Sequence, residues 1–577
     1  MERGRDEGGK AMNATQVAEG ALPDVKAAPP KGWGLLKAAL TNRKVGIMLI
    51  FGFASGLPYV LLLGTLYAWL GEAKVDLETM GVFSLIGLAY AFKFLWSPLV
   101  DRMNLPLIGY LGRRRSWLVP IQILLAGSFM LLSQLDPLTS LGMFSLLAGL
   151  GAFASATQDI VIDAWRVDVA DEKATLEILS AVYQLGYRLA ALAGGALALI
   201  MAERIGWSNV YLLFGFAMLV PLIASLLAPD TPRPDMGDAT SLPAGELTLK
   251  VRLVAMLIVG ACWGWALVEV ITFMTLSLGA DPEARPDATA FIRTMGPLIV
   301  VATVIVPAIV AAVLNHWRAR GRHVLSEAMP LRGTGRSLVQ HAYSALLLPL
   351  AEIISRLGWA AILALGIILS YRFTDGVWGP FALPFYLQEL KYTNDEVAVA
   401  SKFFGVGMTM AGIALGAVSF ATLGRMITLI LGALVAALSN LLYADLAMGG
   451  TYLDVFGRLS GFYWLTDLFG ADARFSRLLL AITGENLAGG LAGAAFVAYL
   501  STITSRQFSA VQYALLSSLT FLVGALGRGA LGGMIETHGY ADVFLLTTQL
   551  GMVAVVLCCI EAIRVRRQNT ASTTAIT

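Results

Sequence analysis

Charge is scarce in this chain. Of 577 residues, 14% are charged and 57% are hydrophobic, against about 25% charged residues in ordinary soluble domains. That balance excludes a soluble fold and defines a polytopic membrane protein, so length gives no count of soluble domains. Cysteine is nearly absent: Cys262, Cys558 and Cys559 all lie in apolar runs, without metal-ligand spacing or a disulfide framework. The four histidines, His316, His323, His341 and His538, form no HExxH pair, so no metal site and no cofactor are expected. A net charge of +2 argues against nucleic acid as a partner. There is no G-x-S-x-G, no Gly-rich phosphate loop and no sizeable soluble region, which weighs against a membrane enzyme.

What the chain has is one polar stretch set in apolar sequence, Gly151 to Gly195. It carries Gln158, Asp159, Asp163, Gln184, Tyr187 and Arg188. On a helix, Asp159 and Asp163 share a face, as do Gln184 and Arg188, with Tyr187 beside them. The run from Arg166 to Lys173 reads as a short polar link between two helices. An ionisable group at membrane depth costs roughly 2.5–3.5 kcal/mol on insertion scales and usually faces a bundle interior or a watery path. A structural ion pair locking two helices is one reading; the polar wall of a solute pathway is the other.

Apolar periodicity organises the rest as six, two and six spans, about fourteen in all. Residues 1–43 read as a disordered cytoplasmic tail with no signal-peptide core. The first six spans, within 44–228, are about Lys44–Leu70, Thr79–Asp101, Trp117–Leu132, Leu141–Asp163, Thr175–Met201 and Val210–Leu227. A Pro/Gly/acid-rich linker, 229–252, follows. Two further spans occupy 253–315, at about Leu253–Leu278 and Phe291–Leu314, and 316–357 reads as a basic cytoplasmic loop ending in an amphipathic surface helix. The last six lie within 358–565, with a cytoplasmic tail at 566–577. An interfacial external insertion is expected at 448–475. Lysine and arginine concentrate on the loops assigned to the cytoplasm, which puts both termini there.

Two halves repeat. At an offset of 333, Gly194, Glu203 and Gly206 lie over Gly527, Glu536 and Gly539; FASG at 53–56 lies over FTDG at 373–376. Parallel six-helix halves about an axis normal to the membrane predict an all-α major facilitator fold with a site between them. Two bundles plus two outer helices are therefore expected. The second half offers Arg372, Asp375, Lys402, Glu485 and Asn486. Lys93, eight residues from the end of its span, is expected to snorkel to the cytoplasmic interface. Arg188 is expected to face the cavity, within ion-pair reach of Asp159 or Asp163. Asp159, Asp163, Asp375 and Glu485 are candidate proton carriers, and no other energy source is visible. Gln158, Gln184, Tyr187 and Asn486 suit sugar hydroxyls and amides, while Arg188 and Arg372 suit carboxylates.

Asp101-Arg102 followed by Gly112-Arg113-Arg114-Arg115 resembles the gating loop of the major facilitator superfamily, stretched here by MNLPLIGYL. FGFASGLP (51–58), FKFLWSPLVDR (92–102), ASATQDIVIDAW (154–165), LGYRLA (185–190), ENLAGGLAGAAFVAYL (485–500) and FSAVQYALLSSL (508–519), taken with GRRRSWL, resemble the AmpG-type muropeptide permeases. That resemblance covers nearly all of 44–565. It implies a bacterial inner-membrane importer of anhydromuropeptides, acting in cell-wall recycling and β-lactamase induction, with the bilayer, protons and the muropeptide as partners and a monomer as the unit. It also implies functional roles for Gly56, Ala156, Gln158 and Asp159. A carrier of another large amphoteric solute, such as an acyl-CoA or a siderophore, remains the alternative, with an enzyme or a receptor behind it.

Overall fold

The computed structural model describes residues 34, 37, 41–74, 89–90, 92–102, 108–229, 241–242, 247–277, 288–320, 329–330, 343–373 and 381–574. In lipid the backbone must satisfy its own hydrogen bonds, so apolar runs of this length become helices. The first half contains α1 (Arg43–Glu72), α2 (Ser97–Arg102), α3 (Arg115–Leu132), α4 (Leu141–Val169), α5 (Leu176–Ile205) and α6 (Trp207–Leu227). Next come α7 (Leu249–Ser277) and α8 (Thr294–Arg318). The second half holds α9 (Ala345–Leu357), α10 (Ala360–Ser370), α11 (Asp395–Leu423), α12 (Arg425–Ala447), the short α13 (Thr451–Leu459) and α14 (Phe462–Asp467), and α15 (Ala473–Ile503). A final helical run, Ser509–Thr574, breaks at Gly539 into α16 (509–538) and α17 (540–574).

Among the described residues, eleven helices are long and apolar enough to cross a bilayer, or twelve if α9 and α10, bent by 107°, form one broken span. Fourteen spans are therefore not reached. Most of the expected second span and the FTDG match at 374–376 lie outside the described residues. One boundary bears on the site. The fourth helix continues past Asp163 to Val169, because the run starting at Arg166 packs inside the protein instead of entering a loop. The insert near 448–475 forms α13 and α14, which leave Phe456, Leu459 and Trp464 exposed, with Phe469 exposed in the turn after them, as a helix pair lying in a membrane interface does.

Glycine geometry marks the repeat. Gly206 (φ 77°, ψ 155°), between α5 and α6, matches Gly539 (φ 81°, ψ 171°), between α16 and α17. Gly112 (φ 99°, ψ 171°) and Gly424 (φ 83°, ψ 168°) stand in the same conformation just before α3 and α12, each followed by an arginine. This region of backbone space is essentially open to glycine alone. Each half therefore makes the same two helix breaks.

Within each half, one helix pair crosses so closely that a Cβ would strike backbone. In the first, Gly52 faces the Tyr183 carbonyl and Gly186 the Leu49 carbonyl, bringing α1 onto α5. In the second, Gly412 faces the Leu487 carbonyl and Gly490 the Thr409 carbonyl, bringing α11 onto α15. Small residues allow such approach where lipid offers no hydrophobic drive. The halves then meet through α5, which packs against both α11 and α15, and through α2 and α4, which pack against α16.

Candidate functional site: a charged cluster beside a latch between the halves

The α4 polar stripe is deeply buried. Asp159 and Asp163 are 8% and 4% exposed, and Gln158 is fully enclosed. Gln158 donates to the Ala54 carbonyl of α1 at 2.7 Å. Ala156 is also enclosed. At Gly56, a Cβ would crowd the Tyr187 carbonyl and the Ala190 side chain, so this residue keeps α1 against α5. Lys93 Nζ lies 4.0 Å from Asp159 and 3.8 Å from Asp163. Arg166 Nη2 lies 3.0 Å from Asp163, one helical turn away. The structure thus brings Lys93 and Arg166 to the acids, two partners that the sequence reading did not name for them.

Lys93 corrects the snorkelling expectation. It is 8% exposed, because it opens a 3-10 turn, Lys93–Leu95, packed against α4, and its ammonium meets the acid pair instead of the interface. Arg166 corrects the expected polar link: it is helical and fully buried. Its guanidinium lies 4.8 Å from the ring centroids of Tyr183 and Tyr513, one from each half, and its Nε donates to Ser501 at 3.2 Å. Two acids and two cations make this cluster charge-balanced, which is what burial demands.

Gln184, Tyr187 and Arg188 are half-buried on α5. One turn outward from the acids, tyrosines from three elements gather. Tyr59 meets Tyr90 edge-on with centroids 5.0 Å apart and approaches Tyr187 at 6.2 Å; Tyr90 donates to Ser155 at 2.8 Å. Tyr59 and Tyr90 were not singled out from sequence. The only signal for them was a tyrosine one turn along each polar-facing helix.

In the second half, the Tyr386 and Tyr443 hydroxyls lie 2.7 Å apart, and Tyr443 donates to Glu485 at 2.5 Å. Thr409 donates to Asn486 at 2.8 Å. Arg372 lies beside Gly493, with Nη1 3.4 Å from where a Cβ would sit. Asp375 and the side chains of Arg102 and Lys402 lie outside the described residues.

A latch closes one mouth. Asp101 of α2 binds Arg113 at 2.9 Å and Arg114 at 3.1 Å. Its other oxygen accepts from the Val511 amide at 3.0 Å, so a carboxylate from the first half caps the N-terminus of α16 in the second, where the helix dipole favours an anion. Arg114 adds Asp168 at 2.8 Å and Ser509 at 2.7 Å, and Ser509 donates to Asp168 at 2.9 Å. Arg506 donates to the Ala170 carbonyl at 2.7 Å. Arg115 stands apart, reaching the Leu226 carbonyl at 3.5 Å. Nearby, Lys44 pairs with Asp171 at 2.5 Å. Burial works against that carboxyl's charge, yet Lys44 and the Ala174 and Lys173 amides hold it below the usual carboxylate range. The segment 343–357 straps the same mouth. Tyr343–Leu347 packs on α2, and the buried Gln512 of α16 donates to Pro349 and Glu352, both at 2.8 Å. Arg356 donates to the Ile503 carbonyl at 2.6 Å.

Repeated helical halves, a buried charged cluster at their seam and a latch across one mouth define a multi-pass transporter of the major facilitator type. The chain belongs to the AmpG family of anhydromuropeptide permeases. It is 30% identical over 530 residues to the anhydromuropeptide permease of Escherichia coli strain K12, spanning 91% of this chain and 81% of that protein. A family model described as acetyl-coenzyme A transporter 1 matches residues 45–191. Among solved structures, human organic anion transporter MFSD10 (TETRAN) is 14% identical, covers 89% of this chain and 99% of its own, and has a TM-score of 0.48. The proton:xylose symporter XylE bound to 6-bromo-6-deoxy-D-glucose is 13% identical, covers 90% and 94%, and has a TM-score of 0.48.

Proposed function

We propose that this permease imports anhydromuropeptides from the periplasm across the bacterial inner membrane, with both termini and the latched mouth on the cytoplasmic side. The observation that carries this reading is the buried Lys93–Asp159–Asp163–Arg166 cluster at the seam of the halves, together with membership of a muropeptide permease family. Gln158, Gln184, Tyr187, Arg188, Arg372 and Asn486 are the groups assigned to the sugar, amide and carboxylate parts of the solute, with Gly56 and Ala156 holding the helices that present them. Asp159, Asp163, Asp375 and Glu485 are the candidates for carrying protons.

The cluster suits coupling for a physical reason. Lys93 reaches the acids from a neighbouring element, whereas Arg166 shares α4 with them and its guanidinium is held from the second half by Tyr513 and Ser501, so an opening of the seam that releases this guanidinium changes how Asp163 is neutralised. Protonation of the stranded carboxylate then removes the penalty of a bare buried charge. In the latched state, Asp101, Arg113 and Arg114 hold the cytoplasmic mouth shut; release exposes the solute to the cytoplasm for cell-wall recycling and β-lactamase induction.

A second reading, transport of an acyl-CoA, is favoured by the family-model match over residues 45–191. Proteoliposomes loaded at one pH and diluted into a lower one decide between the two. Radiolabelled anhydromuropeptide is expected to accumulate and to stop accumulating when a protonophore is added. Accumulation of acetyl-CoA without muropeptide uptake overturns the substrate reading, and accumulation insensitive to both protonophore and sodium overturns the coupling reading.

A further inference from the structure

The two outer helices leave a slot that the transport reading does not use. Between the first turns of α7 and the last turns of α8 lies a cavity of about 350 Å³. Val254 and Ile258 line one wall, Ile309 and Val313 the other, and Lys250 and Trp317 stand at one end. The slot runs inward for eight residues of α7, about 12 Å at helical rise. It opens beside exposed Leu253 and Leu257, so it faces lipid. Next to it, Arg318 lines a second cavity of about 290 Å³ with Gln507 and Phe508, the residues just before the latch at Ser509. The charged end is therefore the latched end of the molecule.

We propose that this slot binds one acyl chain of an anionic phospholipid, with Lys250 and Arg318 holding its phosphate headgroup and Trp317 marking the interface. The apolar walls alone would accept any lipid, because a chain gains little by leaving other chains for leucine-like walls. Selectivity comes from the cations at headgroup level. Basic pockets between membrane helices on the cytoplasmic side recognise anionic headgroups, and tryptophan sits at that depth. The inference is independent of the substrate and of proton coupling.

The test uses the full chain in vesicles containing brominated phosphatidylglycerol or brominated phosphatidylcholine. The chain has 12 tryptophans, so the Trp317 signal is the quenching lost in Trp317→Phe. Brominated phosphatidylglycerol is expected to quench it with at least fivefold preference over phosphatidylcholine. Lys250→Gln and Arg318→Gln should each lower that preference about fivefold, the effect of one cation near the surface, while Lys250→Arg keeps it. Native mass spectrometry of the same variants, counting retained phosphatidylglycerol, gives a readout that does not depend on Trp317. Equal quenching by the two lipids, or a preference unchanged in both glutamine variants, overturns the proposal.

Discussion

The two halves share a scaffold and differ in the chemistry they bury. Both break their helices at glycines of one conformation, Gly112 and Gly206 in the first and Gly424 and Gly539 in the second. Yet the first half buries a quartet of full charges, Lys93, Asp159, Asp163 and Arg166, while the second sets Glu485 at the end of a chain of tyrosine hydroxyls. The close glycine crossings also differ, joining the first and fifth spans in one half and α11 to α15 in the other. The duplicated framework supplies geometry; the asymmetric substitutions supply different buried chemistry. A quartet can redistribute charge when one cation moves, whereas a hydroxyl chain hydrogen-bonds and orders what it touches.

The largest expected effect tests the quartet. Arg166→Ala strands Asp163 and removes a guanidinium held between Tyr183 and Tyr513. Loss of one member of a buried pair is expected to cost about 3–5 kcal/mol, read as a large fall in the melting temperature of purified protein and loss of uptake. Adding Asp163→Asn to Arg166→Ala should recover much of the stability, since no buried charge is then unmatched. Failure of that recovery would show that the aromatic sandwich, not the ion pair, is what Arg166 provides.

The next effect separates the halves by function. Asp159→Asn should abolish accumulation of labelled muropeptide and leave counterflow exchange, which needs no net proton movement. Glu485→Gln keeps a hydrogen-bond acceptor for Tyr443 and should raise KM for exchange. Loss of accumulation in Glu485→Gln with unchanged KM would instead place a proton carrier in the second half. Tyr443→Phe is milder: it removes a hydroxyl that bonds a carboxylate, a contribution of about 1.5–3 kcal/mol, and its effect should shrink to the about 0.5–1.5 kcal/mol of a neutral hydrogen bond in the Glu485→Gln background. Equal losses in both backgrounds would uncouple the pair.

Much of the fold was legible because lipid imposes one solution on apolar runs. The family was legible because several short motifs recur together. The contacts at the seam were not. Arg166 opens the polar run RVDVADEK, which reads as a loop until Tyr513 and Ser501 from the other half are seen to receive it. Lys93 lies near Asp101-Arg102, so its position reads as the end of a span. Ser509 meets Asp168 across 341 residues, a pairing with no local signal. Glu485 and Asn486 stand out as polar letters in an apolar helix, but their partners Tyr443 and Thr409 are ordinary residues of neighbouring spans. Sequence periodicity locates polar faces; it does not say which distant residue meets them.

The smallest expected effect lies in the outer insert, where the second half carries a feature the first lacks. Asp454 of α13 takes a bidentate bond from Arg477 at the start of α15, at 2.8 and 2.7 Å, and a third from Tyr463 at 2.7 Å. The Arg477 hydrogen bonds hold the Asp454 carboxyl below its usual range, against partial burial. A carboxylate depressed in the folded state contributes stability above its unfolded pKa of about 3.9 and loses it as pH falls through the folded value. Both partners are a quarter exposed, so the pair is worth no more than about 1 kcal/mol. Asp454→Asn should therefore melt slightly below the parent protein at pH 7, with the gap closing as the pH is taken below about 4. Uptake should be unchanged, since the insert lies away from the charged quartet. A gap that persists undiminished at low pH would mean that shape, through the Tyr463 contact and the packing of α13 and α14 on α15, holds the insert in place without help from charge.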